Sequence, residues 1–367
     1  MIVTNISDIK YFLDQTSVLD KSQHYTVNYH PDASEKNFKS NETFVIEFKN
    51  CLANTLPLLV TDKNEMITEH VWPLVHKEKH KPHHSHKLWS QWQDKMQIDL
   101  PGPTAYFNND KNYVWLPVDD RSTENPWHVW IDMISKFRLI EKQYKKSYLD
   151  FTYIIPKQSN YLKRVMNSRF HNLNYHFMTP DTTWKFEKLI VPSMSNRKDG
   201  MIVPEMPSWL RENFGVKEDK PFRKIWISRK NSATRSIVNE SVLFDTVLKQ
   251  RGWELLELEN LSLDQQLLYF AEAKIVVAPH GAGLTNLLFC QPGTKVIELQ
   301  DKDMLSKKVY PVLAYHLGLE QVTYTPDTIK IELDNGKKPK GIKRMSDLIN
   351  FKITHEQLLE LLKATAI

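Results

Sequence analysis

The sequence predicts an α/β protein organised around a doubly wound parallel sheet, and three observations carry that prediction. The first is the run Ile275-Val276-Val277-Ala278, bounded by Pro279, which reads as a strand covered on both faces. It leads into a turn carrying Gly281 and Gly283, and 284–289 then supply the first apolar turns of a helix. The second is the alternation of strand and helix patterns from 225 to 299. The third is a similar alternation earlier in the chain, across 126–191.

In chain order, residues 1 to about 40 are polar and weakly patterned, and a strand series begins at 44–48. The stretch 70–87 is basic and rich in histidine, with His76, His80, His83, His84 and His86. Imidazole is a good zinc or nickel ligand, but these spacings match no structural zinc pattern, Pro82 breaks any helix and lysines interleave. A solvated loop is the simpler reading, with contact to an anionic acceptor as the other. Residues 104–116 read as a hairpin turning at 108–112. Asn125 can cap a helix that has Pro126 at its first position and runs to about Tyr144. A strand over 151–155, a helix over 161–170 and a strand over 188–191 follow.

The segment 198–220, rich in Pro, Gly and charge, is the expected linker, which divides the chain into domains at 1–200 and 201–367. The second half opens with a strand over 225–228, then Arg229, Lys230 and Arg235 in a polar loop. Asn239 is the expected cap of a helix over 242–250, followed by a strand at 253–258 and an amphipathic helix at 263–273. After the glycine turn, Pro292-Gly293-Thr294 turns the chain into a strand over 295–299. Trp209, Trp226 and Trp253 read as core, and so does Cys290.

In parallel sheets ligands bind beyond the carboxyl ends of the strands, where the Arg229/Arg235 loop, the His280 turn and Glu298 all fall. The backbone N–H groups of Gly281, Ala282 and Gly283, at the positive end of a helix dipole, form a phosphate seat, to which His280, Thr285 and Asn286 add polar side chains. Guanidinium forks suit diphosphate oxygens, which favours Arg229 and Arg235 as ligands over a solvated basic loop. Glu298 either accepts hydrogen bonds from ribose or sugar hydroxyls or pairs with one of those arginines. His128 lies in the first turn of its helix with Asp132 four residues on, on the same face. The positive helix end favours a neutral imidazole, as a general base requires, and a carboxylate can orient the ring. A capping arrangement with a surface His–Asp pair is the alternative.

Ser228-Arg229, Arg235, Asn239-Glu240, the run from Ala278 to Asn286, Pro292-Gly293 and Val296-Ile297-Glu298-Leu299, in this order and spacing, resemble glycosyltransferase family 61. A thinner match lies at Asn125–Asp132, where Trp127 and Trp130 flank His128 and Val129, a spacing that departs from the family's usual segment. The resemblance implies two Rossmann-like domains facing across a cleft, the GT-B arrangement, with a strand-rich N-terminal start; 1–200 would be the acceptor-side domain and 201–367 the nucleotide-sugar-binding domain. It implies an inverting transfer of sugar from a nucleotide-sugar donor to a hydroxyl of a glycan or glycoconjugate acceptor, in surface polysaccharide synthesis, without a bound metal or other cofactor. His128 and Asp132 would then be catalytic, and Asn239 and Glu240 would join the nucleotide-sugar site.

Composition agrees. Hydrophobic residues at 41% and charged residues at 25% suit a globular protein, and 367 residues suffice for two cores. The net charge of +5 suits an anionic nucleotide or a membrane surface but is too small to argue for nucleic acid. Cys51 and Cys290 imply no disulfide framework. The N-terminus lacks a signal-peptide pattern and no stretch approaches the ~20 apolar residues of a membrane span. A bacterial or viral cytoplasmic enzyme is expected, with peripheral contact at the inner face of a membrane left open. A non-catalytic nucleotide-binding module and a polysaccharide-assembly protein that retains the fold are the competing classes.

Overall fold

A computed structural model describes short strand segments within residues 2–67, and then residues 98–116, 123–192, 205–216, 220–305, 309–331 and 348–364. The histidine-rich stretch over 70–87 lies outside the described residues, as do 198–204 and 217–219 of the expected linker. The chain divides into two compact units, one of Met1–Tyr25 with Phe38–Arg197 and one of Thr26–Asn37 with Lys198–Ile367. Both are mixed α/β.

The first unit is built around the long strand Thr183–Pro192, which pairs antiparallel with Thr43–Asn54 along nearly its whole length. On its other edge lies a parallel section: Tyr113–Trp115 beside Thr183–Pro192, then Thr152–Ile155, then Asn174–Phe177. Thr152–Ile155 is buried at every position, as its unbroken β-branched and aromatic run Thr-Tyr-Ile-Ile requires of a strand covered on both faces. Between these strands run the helical stretch that ends in Ser135–Tyr144 and the helix Asn160–Arg169. Ser159 caps the latter by accepting the Leu162 N–H at 3.1 Å. Lys145 adopts the left-handed conformation that ends the former.

The expected hairpin over 104–116 is not formed. Pro103–Phe107 and Tyr113–Trp115 do not pair with each other; both run parallel to Thr183–Pro192, the first against its opening half and the second at Ile190. A ten-residue strand has an edge long enough for two short partners in succession, so the chain steps out at 108–112 and continues in the same direction. The protruding turn is held by the Glu187 carboxylate, which accepts the Asn109 N–H at 3.2 Å, and by Lys188 Nζ, which donates to Asn112 at 3.0 Å.

The second unit carries a five-stranded, wholly parallel sheet in the order Trp253–Leu256, Arg223–Ile227, Ala273–Pro279, Lys295–Leu299, Glu320–Tyr324. Every residue of Ala273–Pro279 except Lys274 is buried, as its apolar run predicts. The helix Leu263–Ala271 begins with a capping box, in which Ser262 and Gln265 satisfy each other's backbone N–H groups. Trp226, Val277 and Ile297 share a core with Leu243 and Val247 and with Phe351 and Leu358 from the C-terminal segment. That segment, the strand Ile349–Lys352 and the helix His355–Ala364, is therefore part of the sheet's packing. Trp209, Trp226 and Trp253 are buried, as expected of core residues, and so is Cys290, whose thiol burial pushes up. Among the described residues no helix is long and apolar enough to cross a membrane.

Phe351 is fully buried, and its backbone pairs with Ser236 and Val238. Phe351→Ala is expected to lower unfolding stability by about 3–5 kcal/mol, the range for a large aromatic removed from a core. A urea titration monitored by tryptophan fluorescence checks this; a loss below about 1 kcal/mol would show that the C-terminal strand is not integral to the unit.

Candidate functional site

The strands of the second unit lie in the order 2-1-3-4-5 of their occurrence in the chain, so the connection reverses between Arg223–Ile227 and Ala273–Pro279. Sheets of this order bind ligands at such a reversal, above the carboxyl ends of the two strands. The loop 228–235 leaves one of these ends and the His280-Gly281 turn leaves the other. The two meet through Arg229 and Gly281. A Cβ on Gly281 would stand 2.2 Å from Arg229 Nη1, so only glycine lets the guanidinium lie against this turn. Arg229 Nε is buried without a hydrogen-bond partner among the described residues.

Arg235 reaches the same turn from the other side, with Nη1 donating to the His280 carbonyl at 2.7 Å. Its backbone is left-handed, at φ 60°, an uncommon conformation for a side chain of this size, and its N–H is fixed to the Ile349 carbonyl at 2.6 Å. Burial, and then the neighbouring Arg235, pull the Arg229 guanidinium down to about 10, with Tyr310 and Glu259 acting in the opposite sense. Arg229 thus remains cationic at neutral pH, while its depression reports a poorly solvated positive site. Past Gly281 the chain winds as a 3₁₀ helix, Ala282–Phe289, where an ordinary helix was expected. Its first hydrogen bond runs from Leu284 N–H to the Gly281 carbonyl at 3.0 Å, leaving the N–H groups of Gly281, Ala282 and Gly283 unpaired within the turn.

Several polar residues expected to face the ligand are instead engaged by the protein. Glu298 is fully buried: one carboxylate oxygen meets His280 Nδ1 at 2.5 Å and the other accepts from Gln321 Nε2 at 3.1 Å. Its bonded partners are thus His280 and Gln321, and not either arginine. The register explains why. Glu298 stands opposite Ala278, and His280 is two residues on along the same strand edge, a diagonal neighbour. Glu240 is buried and accepts from Trp226 Nε1 at 2.9 Å and from Ser228 Oγ, so it fixes the start of the arginine loop. Asn239 does not cap the following helix; its amide donates to the Ile353 carbonyl at 2.6 Å and ties down the C-terminal segment. Asn286 donates to Gln266 and to the Gly283 carbonyl, both at 3.2 Å, and Thr285 is fully buried. Asn239, Glu240, Asn286 and Glu298 are thus bonded into the walls around the reversal, where Arg229, Arg235, His280 and Gly281 lie.

Two residues beside His280 were not anticipated. Gln300 Nε2 approaches His280 Nδ1 at 3.3 Å, and the Tyr310 ring meets the imidazole edge-on at 5.3 Å. Gln300 follows the strand that ends at Leu299, so its position at the carboxyl edge was readable; Tyr310 comes from the helix Val309–Leu317, which no motif marks.

The second candidate group belongs to the first unit. The helix from Pro126 follows Tyr113–Trp115 and starts beyond that strand's carboxyl end. Its start is fastened at several points. The Asn125 side chain accepts the Trp127 N–H at 3.0 Å, which bears out the expected cap. Glu124 accepts the Asn160 N–H at 3.0 Å and the Tyr161 N–H at 3.3 Å, and Ser159 Oγ donates to the Thr123 carbonyl at 2.5 Å. Trp130 Nε1 donates to Tyr161 at 2.9 Å. His128–Ile134 is wound as a π-helix and passes into α-helix at Ser135. Such segments are rare and gather at functional sites. His128 Nδ1 lies 2.6 Å from Asp132 Oδ2, with the histidine side chain 30% exposed and the aspartate 4%. A carboxylate only accepts, so in this contact Nδ1 is the donor and the ring is oriented by Asp132.

The family model described as Glycosyltransferase 61 matches residues 126–297, a span that takes in His128, Asp132, Arg229, Arg235 and the His280-Gly281 turn. None of the curated proteins matches the chain. Gly281→Ala is expected to displace the Arg229 guanidinium without unfolding the unit, and so to weaken pyrophosphate binding at least tenfold, about 1.4 kcal/mol. Calorimetry beside a thermal melt tests this; unchanged affinity would show that Arg229 packed on the turn is not the anion ligand.

Proposed function

We propose, from the premise that this chain is a glycosyltransferase with a family 61 domain, that it moves a sugar from a nucleotide-sugar donor to a hydroxyl of a glycan or other acceptor, with inversion. The observation that carries this reading is the partly buried Arg229, packed on Gly281 at the strand reversal with Arg235 beside it. A desolvated cation with no carboxylate bonded to it among the described residues is a seat for an anion. The donor's diphosphate supplies one, and it gains negative charge as the sugar leaves. Arg229, Arg235 and the N–H groups of Gly281 to Gly283 would stabilise that charge more strongly in the transition state than in the bound donor.

A single displacement also requires a base for the acceptor hydroxyl. His128 fits through its partly exposed side chain and its Nδ1 contact with Asp132, which would orient the ring toward an acceptor hydroxyl. The reading takes the two units as acceptor and donor halves of a GT-B enzyme, with both required for turnover. Surface polysaccharide synthesis at the cytoplasmic face of a membrane suits the mild positive charge.

Arg229→Ala and Arg235→Ala are each expected to weaken nucleoside diphosphate binding by about 1.5–3 kcal/mol, the range for hydrogen bonds to charged groups. Unaltered calorimetric affinity in both would remove the donor assignment. Because the guanidiniums supply charge at the leaving group, turnover is expected to persist in EDTA; loss restored by manganese or magnesium would contradict that assignment. His128→Ala should slow transfer by roughly 10²–10⁴-fold with donor affinity nearly unchanged, and Asp132→Asn should slow it less. Near-normal turnover of His128→Ala would place the base elsewhere.

A further inference from the structure

Where the chain steps out at 108–112 it leaves a hollow of about 550 Å³, at the amino ends of the parallel strands of the first unit. The helix of His128 starts beyond the opposite, carboxyl end of those strands, so the hollow is separate from that group. Thr152 lines it, with Asn174 opposite on the next strand and His176 two residues on, on the same face. Asp110 and Asn112 reach it from the turn, and Asp150 from the short helical turn Tyr148–Asp150. The overhang is fastened to the sheet: the Asn112 carbonyl accepts the Thr152 N–H at 3.0 Å, and the Asn112 side chain accepts from Lys188 at 3.0 Å. By contrast, the side chains of Asp150, Thr152, Asn174 and His176 have no hydrogen-bond partner among the described residues. Thr152 is only 7% exposed, and buried hydroxyls are normally partnered, so its hydrogen-bonding capacity is left for an occupant of the hollow.

We propose that this hollow is a saccharide-binding site, apart from the reacting groups, that holds a stretch of glycan chain by its hydroxyls. Its volume falls within the range of about 300–1,000 Å³ that small ligands occupy. Carboxylates accept, amides donate and accept, and the threonine hydroxyl does both. That mixed set pairs with a ligand whose own groups donate and accept in turn, as sugar hydroxyls do. An anion is disfavoured, because Asp110 and Asp150 outweigh the single ammonium of Lys111 among the lining residues. Among the described residues no three His, Cys, Asp or Glu side chains lie together to hold a metal ion. For an enzyme that transfers to a glycan, the site would raise the affinity for long acceptors, since a chain held at one site meets the other as an intramolecular event. That consequence rests on the proposed transfer to a glycan; the binding itself does not.

Asn174 and His176 are exposed on the last strand of the sheet, so the double variant Asn174→Ala/His176→Ala removes both side chains without opening the core. The probes are cellohexaose, maltohexaose, xylohexaose, mannohexaose and chitohexaose, titrated by NMR in the absence of any donor. At least one is expected to bind the unmodified protein, and to bind the double variant at least tenfold more weakly at an unchanged melting temperature. If the variant does not fold, the unmodified protein decides: the amide signals of residues 174–176 must move on titration. Binding by none of the five, equal binding by the folded variant, or amide signals that stay in place would each overturn the proposal. So would calcium bound through the same residues in place of a sugar. An oligosaccharide held at the hollow by a protein that turns over no donor would leave the site standing and remove the transfer reading instead.

Discussion

Arg229 lies against Gly281 with Arg235 close enough to lower its proton affinity, and burial lowers it further. Two like charges in a poorly solvated corner repel, so the surrounding structure must hold them in place. The bonds around the reversal do this. Lys230 pairs with Glu257 at 2.5 Å and Asn231 donates to Glu259 at 2.8 Å, which fastens the arginine loop to the end of the neighbouring strand. Glu240, beneath it, joins Trp226 to Ser228. The C-terminal strand takes the other side: Ile349 accepts from Arg235 N–H, and Asn350 accepts from the Ser236 N–H at 3.1 Å and its hydroxyl at 2.9 Å. The acids near this corner are largely committed to scaffolding, which keeps Arg229 from being neutralised internally.

This division of labour marks what the sequence revealed. The run at 275–279 and the glycine turn announced a buried strand and a close approach, because both depend on local residue type. Residue type also placed Lys295–Leu299, with its turn before it, to the residue. What stayed hidden was the partner of each polar side chain. Glu298 looks equally like a hydroxyl acceptor or an arginine partner until the register sets it opposite Ala278 and within reach of His280. Asn239 has the look of a cap, yet its amide faces Ile353, more than a hundred residues away along the chain. Spacing along a strand tells which edge a residue reaches; only the neighbouring strand tells what it meets there.

The same limit applies to the false hairpin. Two short strands around a polar turn satisfy every local rule for antiparallel pairing. Their parallel pairing with Thr183–Pro192 depends on a partner nearly eighty residues distant in the chain. In the helix from Pro126 the limits of the pattern were legible but the π-winding of His128–Ile134 was not. Apolar spacing there suits either helix, since the buried residues Val129, Trp130, Ile131, Met133 and Ile134 cover most of its circumference. The His128–Asp132 contact survives the winding because the two remain one turn apart.

The two candidate groups differ in how charge is placed. At the strand reversal Arg229, largely withdrawn from water, has no carboxylate bonded to it among the described residues, so its positive charge is available to whatever anion arrives. On the helix from Pro126 the arrangement is the reverse: the Asp132 carboxylate lies against His128 at 2.6 Å and sets the direction of the ring. Exchanging the two would defeat the first, because a carboxylate on Arg229 would occupy its charge before any anion bound.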